Sequence, residues 1–255
     1  MKNKFKKIVK CLYVITPFKG SSLIPLKKTI LSLKKNKSKT LLKHLIIFDK
    51  SIDQFMRNLP RDLSFKESNN SYQNFFIKAN NKGIYSSINQ GLDHVPLKSY
   101  YLVLGAGDLF LNIKDALKVP ENKIIIFPYR LSNIVKKDFI TKLRYLYGGM
   151  PYCHNAIAYL NDGSKYAIRY GISADYDHLL RYFKNYDLKI ESFENSLQKS
   201  ITIEFESVTG LSSKNKISKN IQNIFIIYRL KGINKIFNYF CHTLSKLFKK
   251  FWIMN

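Results

Sequence analysis

Apolar runs alternate with amphipathic stretches through the first half of the chain. Residues 8–16 are mostly apolar, as in a buried strand, and residues 23–34 then place Leu26, Ile30 and Leu33 on one helical face. The other elements predicted in this half are a loop at 17–22, strands at 45–48, 75–78, 100–104 and 123–129, and a helix at 86–92. Alternation of strands and helices predicts an α/β fold with a mostly parallel central sheet flanked by helices.

Polar turns follow three of these strands, at residues 49–53, 81–85 and 105–108. In parallel α/β sheets, ligands bind beyond the carboxyl ends of the strands. The sequence therefore predicts that its binding chemistry lies in these turns.

The pattern changes in the C-terminal half. Residues 148–161 are irregular, and residues 172–183 predict an amphipathic helix. After Glu206 the chain has no Asp or Glu, and its nine Lys and Arg alternate with apolar residues at three- and four-residue steps. This predicts two basic amphipathic helices broken near Gly232. We therefore expect a globular domain at 1–206 and a basic helical tail at 207–255.

The net charge narrows the choice of partners. Lys and Arg number 43 against 17 Asp and Glu, a formal charge of +26, which favours nucleic acid, an anionic membrane or phosphorylated substrates. A compositional origin stays open, because Lys, Asn and Ile are all abundant, as AT-biased coding produces. Only seven of the 43 basic residues are Arg, the residue on which DNA readers rely for bidentate contacts. We expect no nucleic-acid partner.

Cysteine usage and hydropathy bear on the compartment. Cys11, Cys153 and Cys241 are widely spaced and odd in number, which excludes a disulfide framework and a CxxC metal site and fits a reducing compartment. No stretch approaches 18 uninterrupted apolar residues, so no transmembrane helix is expected.

Asp108 ends the loop Gly105-Ala106-Gly107-Asp108. Small residues let the backbone approach a ligand, and one carboxylate there can hold a divalent cation against a diphosphate. The alternative is a carboxylate that caps the next turn.

Two other turns carry candidate ligand contacts. Asp49 and Asp53 can accept hydrogen bonds from a base or ribose, or form an Asx-turn. Lys82 and Gly83 precede a predicted helix, which suits a phosphate, or they are ordinary loop residues.

The second half offers fewer candidates. Asp175 and Asp177 begin a predicted helix and either complement its dipole or aim a carboxylate into a cleft as a base. His154 is a ligand, a substrate contact or a core histidine.

Taken in order, six segments resemble glycosyltransferase family 2, of the bacterial polysaccharide type, over roughly residues 8–200. They are VITPFKG (14–20), LIIFDKSID (45–53), NKGIYSSINQGL (81–92), YYLVLGAGDLF (100–110), MPYCHNA (150–156) and ISADYDHLLR (172–181). The resemblance implies a GT-A fold and inverting transfer of a sugar from a nucleotide-sugar donor, usually UDP-linked. It also implies a divalent metal, Mn²⁺ or Mg²⁺, and a saccharide or lipid-linked acceptor for a surface polysaccharide.

The resemblance assigns roles by position. Asp175 matches the general base and Asp108 the metal ligand of a DxD-like motif. The residues matched to donor nucleotide binding are Thr16, Pro17, Asp49, Ser51, Asp53, Lys82, Gly83, Tyr85 and Gly107. His154 and Asp177 are expected to contact donor or acceptor.

Five positions depart from the family pattern. Ala106 replaces the first acid of the DxD motif, and Asn81 and Ser86 replace common Asp residues. Ala174 replaces the Glu that usually precedes the catalytic Asp, and Phe48 stands where a first Asp often occurs. A catalytically impaired relative acting as a membrane scaffold is the alternative function, and a basic nucleic-acid binder is a weaker one.

The tail suits an anionic membrane surface, which predicts a cytoplasmic protein that is peripheral on the inner face of the membrane. The alternative is that the tail packs against the catalytic domain or a second subunit, and a homodimer stays open.

Overall fold

The computed structural model describes thirteen parts of the chain. They are residues 7–20, 22–36, 39–49, 71–111, 117–119, 124–131, 134–136, 150, 152–186, 203–205, 215–232, 235–237 and 239–241. Of the predicted site residues, Ser51 and Asp53 lie outside these ranges.

Strands and helices alternate as the pattern predicts. The strands are β1 (Lys7–Val9), β2 (Cys11–Phe18), β3 (Leu41–Phe48), β4 (Tyr72–Lys78), β5 (Tyr100–Val103), β6 (Leu109–Phe110), β7 (Leu117–Val119), β8 (Ile125–Ile126), β9 (Tyr129–Leu131), β10 (Ile134–Lys136), β11 (Ile157–Leu160) and β12 (Ile203–Phe205). The helices are α1 (Ile24–Lys34), α2 (Ile84–Asp93), α3 (Ala174–Tyr186) and α4 (Lys216–Lys231), with a 3₁₀ turn at His154–Ala156.

The central sheet has six strands in the order β4-β3-β2-β5-β11-β8. Its first four strands are parallel, and β11 runs antiparallel to both β5 and β8. Leu12, Val14, Ile15 and Ile46 have no exposed surface, because this sheet is the core of the fold. The predicted fold class, a mainly parallel α/β sheet flanked by helices, is confirmed.

The strand predicted at residues 8–16 is wrong as a single element, because residues 7–9 form β1, which pairs with β7, and β2 begins at Cys11 and ends later than predicted. Strand β2 runs through Pro17 to Phe18, where the sequence indicated a loop from residue 17. The carbonyl of Ile15 accepts a hydrogen bond from the N–H of Leu104. The N–H and C=O groups of the odd-numbered residues of β2 therefore point towards β5, and the pairing of β5 with β2 ends at Ile15. Pro17 therefore loses no ladder hydrogen bond by lacking an N–H, which removes the usual reason to end a strand there.

The strand predicted at 123–129 is wrong as a single element. Ile125–Ile126 pairs with β11 in the central sheet, whereas Tyr129–Leu131 pairs with β10 and β12 in a second sheet. Pro128 separates them and cannot donate to either ladder. The second sheet has the order β10-β9-β12-β6, and β1 pairs with β7.

The chain divides into two compact units. The first comprises residues 1–139, 154–166 and 191–208, and the second comprises 140–153, 167–190 and 209–255. The domain boundary predicted at residue 206 stays a prediction.

In the second unit, α3 packs against α4. Helix α4 ends before Gly232, near which the sequence predicts a break, and residues 235–237 and 239–241 are again helical. None of the described helices is long and apolar enough to cross a membrane.

Candidate functional site

Four predicted residues of the first unit lie at one edge of the central sheet. Asp49, Lys82 and Asp108 follow the parallel strands β3, β4 and β5, so they share the carboxyl edge. His154 precedes β11, and because β11 is antiparallel to β5, its beginning lies at the same edge. The topology thus gathers these four turns where parallel α/β sheets bind ligands.

The Asp108 carboxylate is held by two N–H donors. Its Oδ2 accepts from the backbone N–H of Gly105 at 3.0 Å and from the side-chain amide of Asn155 at 2.9 Å. The backbone N–H of Asp108 donates to the carbonyl of Gly105 at 3.1 Å, which closes the turn. These bonds fix the orientation of the carboxylate before any ligand arrives.

A buried threonine of α1, Thr29, holds the backbone of the loop at residues 105–108. The Thr29 hydroxyl donates to the carbonyl of Asp108 and accepts from the N–H of Gly107, both at 2.9 Å. One turn further on, Ser32 Oγ accepts from the N–H of Phe110 at 3.1 Å. Helix α1 therefore anchors the backbone on both sides of the aspartate.

Two glycines of this loop are needed for different reasons. A Cβ on Gly105 would lie 2.8 Å from Oδ2 of Asp108, closer than real Cβ contacts come. Gly107 has a φ of +103°, a region that L residues rarely adopt. The Gly-Ala-Gly spacing thus serves the placement of the carboxylate.

Thr16 lies within the sheet rather than on a loop. Its side chain is fully buried, and its Oγ1 is 2.8 Å from Nε2 of His44, whose Nδ1 is 2.9 Å from the Tyr72 hydroxyl. Burial lowers the pKa of His44 to about 3 and raises that of Tyr72. The neutral imidazole therefore bridges three adjacent strands, and the Thr16 hydroxyl is engaged with it.

Pro17 and Asp49 lie at the ends of paired strands. Pro17 is in register with Ile47, and the N–H of Asp49 donates to the carbonyl of Phe18 at 3.1 Å. The Asp49 side chain is half-buried at this end.

The first turn of α2 contributes Tyr85 to an aromatic cluster, which consists of Tyr85, His154 and Tyr166. Lys82 and Gly83 are exposed, whereas the Tyr85 ring stacks on that of Tyr166 at 5.8 Å between centroids. The Tyr166 hydroxyl is 3.3 Å from Nε2 of His154, whose ring also packs edge-on against Tyr166. His154 therefore belongs to the same cluster as Tyr85, at the sheet edge that carries Asp108.

Asn89 on α2 holds Tyr166 in place. Its amide nitrogen donates to the carbonyl of Tyr166 at 2.9 Å, and its amide oxygen accepts from the Tyr166 N–H at 2.8 Å. Lys165 donates to the carbonyl of Asn89 and to Asp93. These bonds fix the aromatic cluster to α2.

Asp175 and Asp177 begin α3 and belong to the second unit. Asp175 is half-buried, and its Oδ1 accepts from the N–H of Tyr176 at 2.8 Å. Asp177 is fully buried, and its two oxygens pair with Arg181 and Arg229. Asp177 therefore has a structural role, since it joins α3 to α4.

Three residues that organise the candidate site were not predicted from the sequence: Thr29, Asn89 and Asn155. Thr29 could have been identified from the sequence, because it is a polar residue among the apolar positions that form the buried face of α1. Asn155 and Asn89 lie inside the motifs quoted for the family resemblance, but only the fold shows what they contact.

The donor set at Asp108 fits a metal that arrives with its substrate. Among the described residues, no group of three His, Cys, Asp or Glu side chains can hold a metal. Mg²⁺ commonly binds through one or two carboxylates together with substrate phosphates. The carboxylate of Asp108, oriented by two N–H donors, is compatible with that mode.

The fold is shared with solved structures, 37 chains of which match it. One is the crystal structure of Staphylococcus aureus TarS 1-349, with a TM-score of 0.60 and 13% identity, covering 92% of this chain and 72% of that one. TarS is a wall teichoic acid glycosyltransferase. No protein-family profile and no curated protein sequence match the chain. The likeness shows a fold consistent with GT-A, and membership of family 2 stays a prediction.

Proposed function

We propose that this protein is a glycosyltransferase that moves a sugar from a nucleotide-sugar donor to an acceptor hydroxyl. The observation that carries the proposal is the Asp108 carboxylate, fixed by Gly105 and Asn155 at the ligand-binding edge of the sheet. The fold it shares with TarS, a glycosyltransferase, supports the same class of reaction.

The donor would span the edge from β3 to β5. Strands β3 and β5 flank β2, so Asp49 and the Asp108 loop follow strands two spacings apart, about 10 Å. We assign Asp49 to the nucleoside and Asp108 to the diphosphate side, and UDP is the nucleotide implied by the family resemblance. Lys82 and Gly83, before the N-terminus of α2, would take phosphate oxygens.

We assign Asp108 as the protein ligand of a divalent cation, Mn²⁺ or Mg²⁺. Such a cation, when bound, supplies positive charge against the leaving diphosphate. The lysine at position 82 supplies further positive charge at the same edge. Thr29 and Asn155 do not touch the donor in this scheme but hold Asp108 in the binding orientation.

The aromatic cluster offers a contact surface for the donor or acceptor. Tyr85 and His154 both pack on Tyr166, which Asn89 fixes through its backbone. Aromatic rings at this edge suit the apolar faces of a base or sugar. We keep His154 and Tyr85 as ligand contacts on this ground.

We further propose that transfer is inverting and that Asp175 is the general base. A base deprotonates the acceptor hydroxyl as that oxygen attacks the anomeric carbon opposite the leaving diphosphate. The carbon–oxygen bond to the diphosphate breaks as the new glycosidic bond forms. What supports the role of base is the family resemblance together with the burial of Asp175, which is half-buried rather than fully enclosed. A saccharide or lipid-linked acceptor in surface polysaccharide synthesis is the class implied by the resemblance.

The experiment measures nucleotide release from UDP-, GDP-, CMP- and dTDP-sugars in the presence of Mn²⁺. No saccharide acceptor is added, so water serves as the acceptor and the reaction is donor hydrolysis. We expect release from at least one donor and a loss of about 10²- to 10⁴-fold on Asp175→Asn, the range for general-base catalysis. Nucleotide affinity should be unchanged in that variant. Asp162→Asn is the matched control, because this carboxylate follows β11 at the opposite end of the sheet and Asn keeps the oxygen that accepts from the N–H of Ser164. It should behave as the unmodified protein.

Two outcomes would contradict parts of the proposal. Equal turnover by Asp175→Asn would remove that residue from the role of base. Nucleotide binding without release from any donor would favour the impaired scaffold that Asn81 and Ser86 suggest.

A further inference from the structure

Helix α4 carries an exposed apolar stripe, defined by Ile217, Ile221, Phe225 and Tyr228. Their side chains are 79%, 49%, 61% and 57% exposed. Steps of four, four and three residues at 100° each place all four within an arc of roughly 80°. The stripe is therefore one continuous surface along the helix.

The opposite face of α4 is already buried. Asn223, Ile226 and Ile227 are nearly inaccessible, and α4 packs against α3. The ion pair between Arg229 and Asp177 fixes the same contact. Folding of the second unit therefore uses one face of the helix and leaves the apolar stripe unburied.

The exposed apolar surface continues after Gly232. Phe237 and Phe240 lie three residues apart in helical segments and are 70% and 49% exposed. Isolated exposed apolar side chains are ordinary in proteins, whereas a concentration of them in one short region is typical of interaction sites.

The charged side chains in the sequence around this surface are all basic. Residues 207–255 contain nine Lys and Arg and no Asp or Glu. Lys216 and Lys231 bound α4, and Lys235 follows. By the same 100° steps, Arg229 and Lys231 lie on the two sides of the stripe, about 40° beyond its edges. An apolar face edged by cations is typical of helices that lie in the interface of an anionic membrane, with apolar side chains among the acyl chains and cations at the headgroups.

We propose that the stripe of α4, together with Phe237 and Phe240, docks on an anionic lipid surface. Two copies of this chain are poor partners for each other there, because a two-fold contact would bring two acid-free basic segments together. Nucleic acid is also a poor fit, since stacking uses aromatic rings and Ile217 and Ile221 offer none.

Vesicle co-sedimentation of the full chain tests this surface without requiring turnover. Vesicles of phosphatidylcholine alone are compared with vesicles containing one quarter phosphatidylglycerol, at low and high salt. We expect binding to the anionic vesicles, weakened by salt, and at least a tenfold weaker affinity for the double variant Ile221→Ser/Phe225→Ser. Both positions are exposed, so their replacement should leave the urea midpoint near that of the unmodified chain.

The matched control is Phe75→Ser/Leu97→Ser, which removes two exposed apolar side chains from the first unit. It should bind vesicles as the unmodified chain does. Equal binding by the α4 double variant, or equal binding to neutral vesicles, would overturn the proposal. A shift in oligomeric state, or loss of oligonucleotide binding, with unchanged vesicle affinity would overturn it in favour of a second copy or nucleic acid. Because no donor is present, failure here leaves the proposed transferase activity untouched.

Discussion

Asp108 shows how much of a site depends on residues that never touch a ligand. Its side chain is fixed by Asn155 and its backbone by Thr29, which lie 47 and 79 residues away in the chain. The sequence indicated Asp108 because a carboxylate follows a strand inside a glycine loop. It did not indicate these partners, because nothing local specifies which distant side chain will meet a loop.

Gly105→Ala tests the placement of the Asp108 carboxylate directly. The added methyl group would lie 2.8 Å from Oδ2 and must displace the carboxylate. We expect donor turnover to fall by at least tenfold, while the free energy of unfolding changes by about 1–3 kcal/mol, the usual cost of overpacking. Nucleotide release and urea unfolding measure the two effects.

Gly171→Ala is the control for that substitution, because a Cβ there meets nothing within 4 Å. It should leave both turnover and stability near those of the unmodified protein. Full turnover by Gly105→Ala would show that the orientation of the Asp108 carboxylate does not matter for the reaction.

At the scale of elements, a buried histidine joins three parallel strands. His44 on β3 reaches Thr16 on β2 and Tyr72 on β4. The sequence predicted the three strands but not this bridge, because His44 lies in the part of β3 that precedes the predicted segment 45–48. Burial alone makes its neutral form obligatory in the folded state.

His44 makes the stability of the fold depend on pH. Its pKa is about 3 when folded and about 6.5 when unfolded, so between these values the unfolded chain binds the extra proton. The free energy of unfolding is therefore not reduced by His44 well above pH 6.5, and it declines as the pH falls from 6.5 towards 3. Between pH 7 and pH 5 this residue should remove about 2 kcal/mol.

Urea unfolding of His44→Gln at both pH values measures that contribution. The variant should show a pH dependence smaller by about 2 kcal/mol, whereas His94→Gln, at an exposed position, should retain the full dependence. An unchanged pH dependence in His44→Gln would mean that the imidazole is not held neutral in the fold.

The junction of α3 and α4 rests on Asp177. Its buried carboxylate pairs with Arg181 on its own helix and with Arg229 on α4. From the sequence alone, this acid is interpreted as a dipole complement, a base or a ligand contact. It could not pair Asp177 with Arg229, because the two lie 52 residues apart.

Asp177→Asn should destabilise the protein by about 1–3 kcal/mol, as when a buried hydrogen-bonded group loses its partner. The cost should stay below that of a fully buried ion pair, because both arginines reach solvent. Glu204→Gln, which alters the exposed pair with Arg130, should cost less than about 0.5 kcal/mol. Urea midpoints compare the two variants, and equal midpoints would contradict a structural role for Asp177.

For the whole molecule, the alternation of strands and helices was enough to predict the central sheet and the turns at its carboxyl edge, where parallel α/β sheets bind ligands. Strand β11 was not predicted, because it lies in the stretch 148–161 that the pattern indicated as irregular. The switch of sheets at Pro128 was not predictable either, since short apolar runs do not reveal their pairing partners. The same limit applies to α4, where the pattern predicted a basic amphipathic helix but not which of its residues the fold buries.

Calorimetric titration of nucleotide sugars, with Mn²⁺ present, into the unmodified chain and into Asp108→Asn tests the central claim most directly. We predict that the unmodified chain binds at least one nucleotide sugar. The variant should bind it at least tenfold more weakly, because the carboxylate that we assign to the metal and diphosphate has lost its charge. Equal affinity in both proteins, or no binding of any nucleotide sugar by the unmodified chain, would contradict the proposal that this edge of the sheet is a donor site.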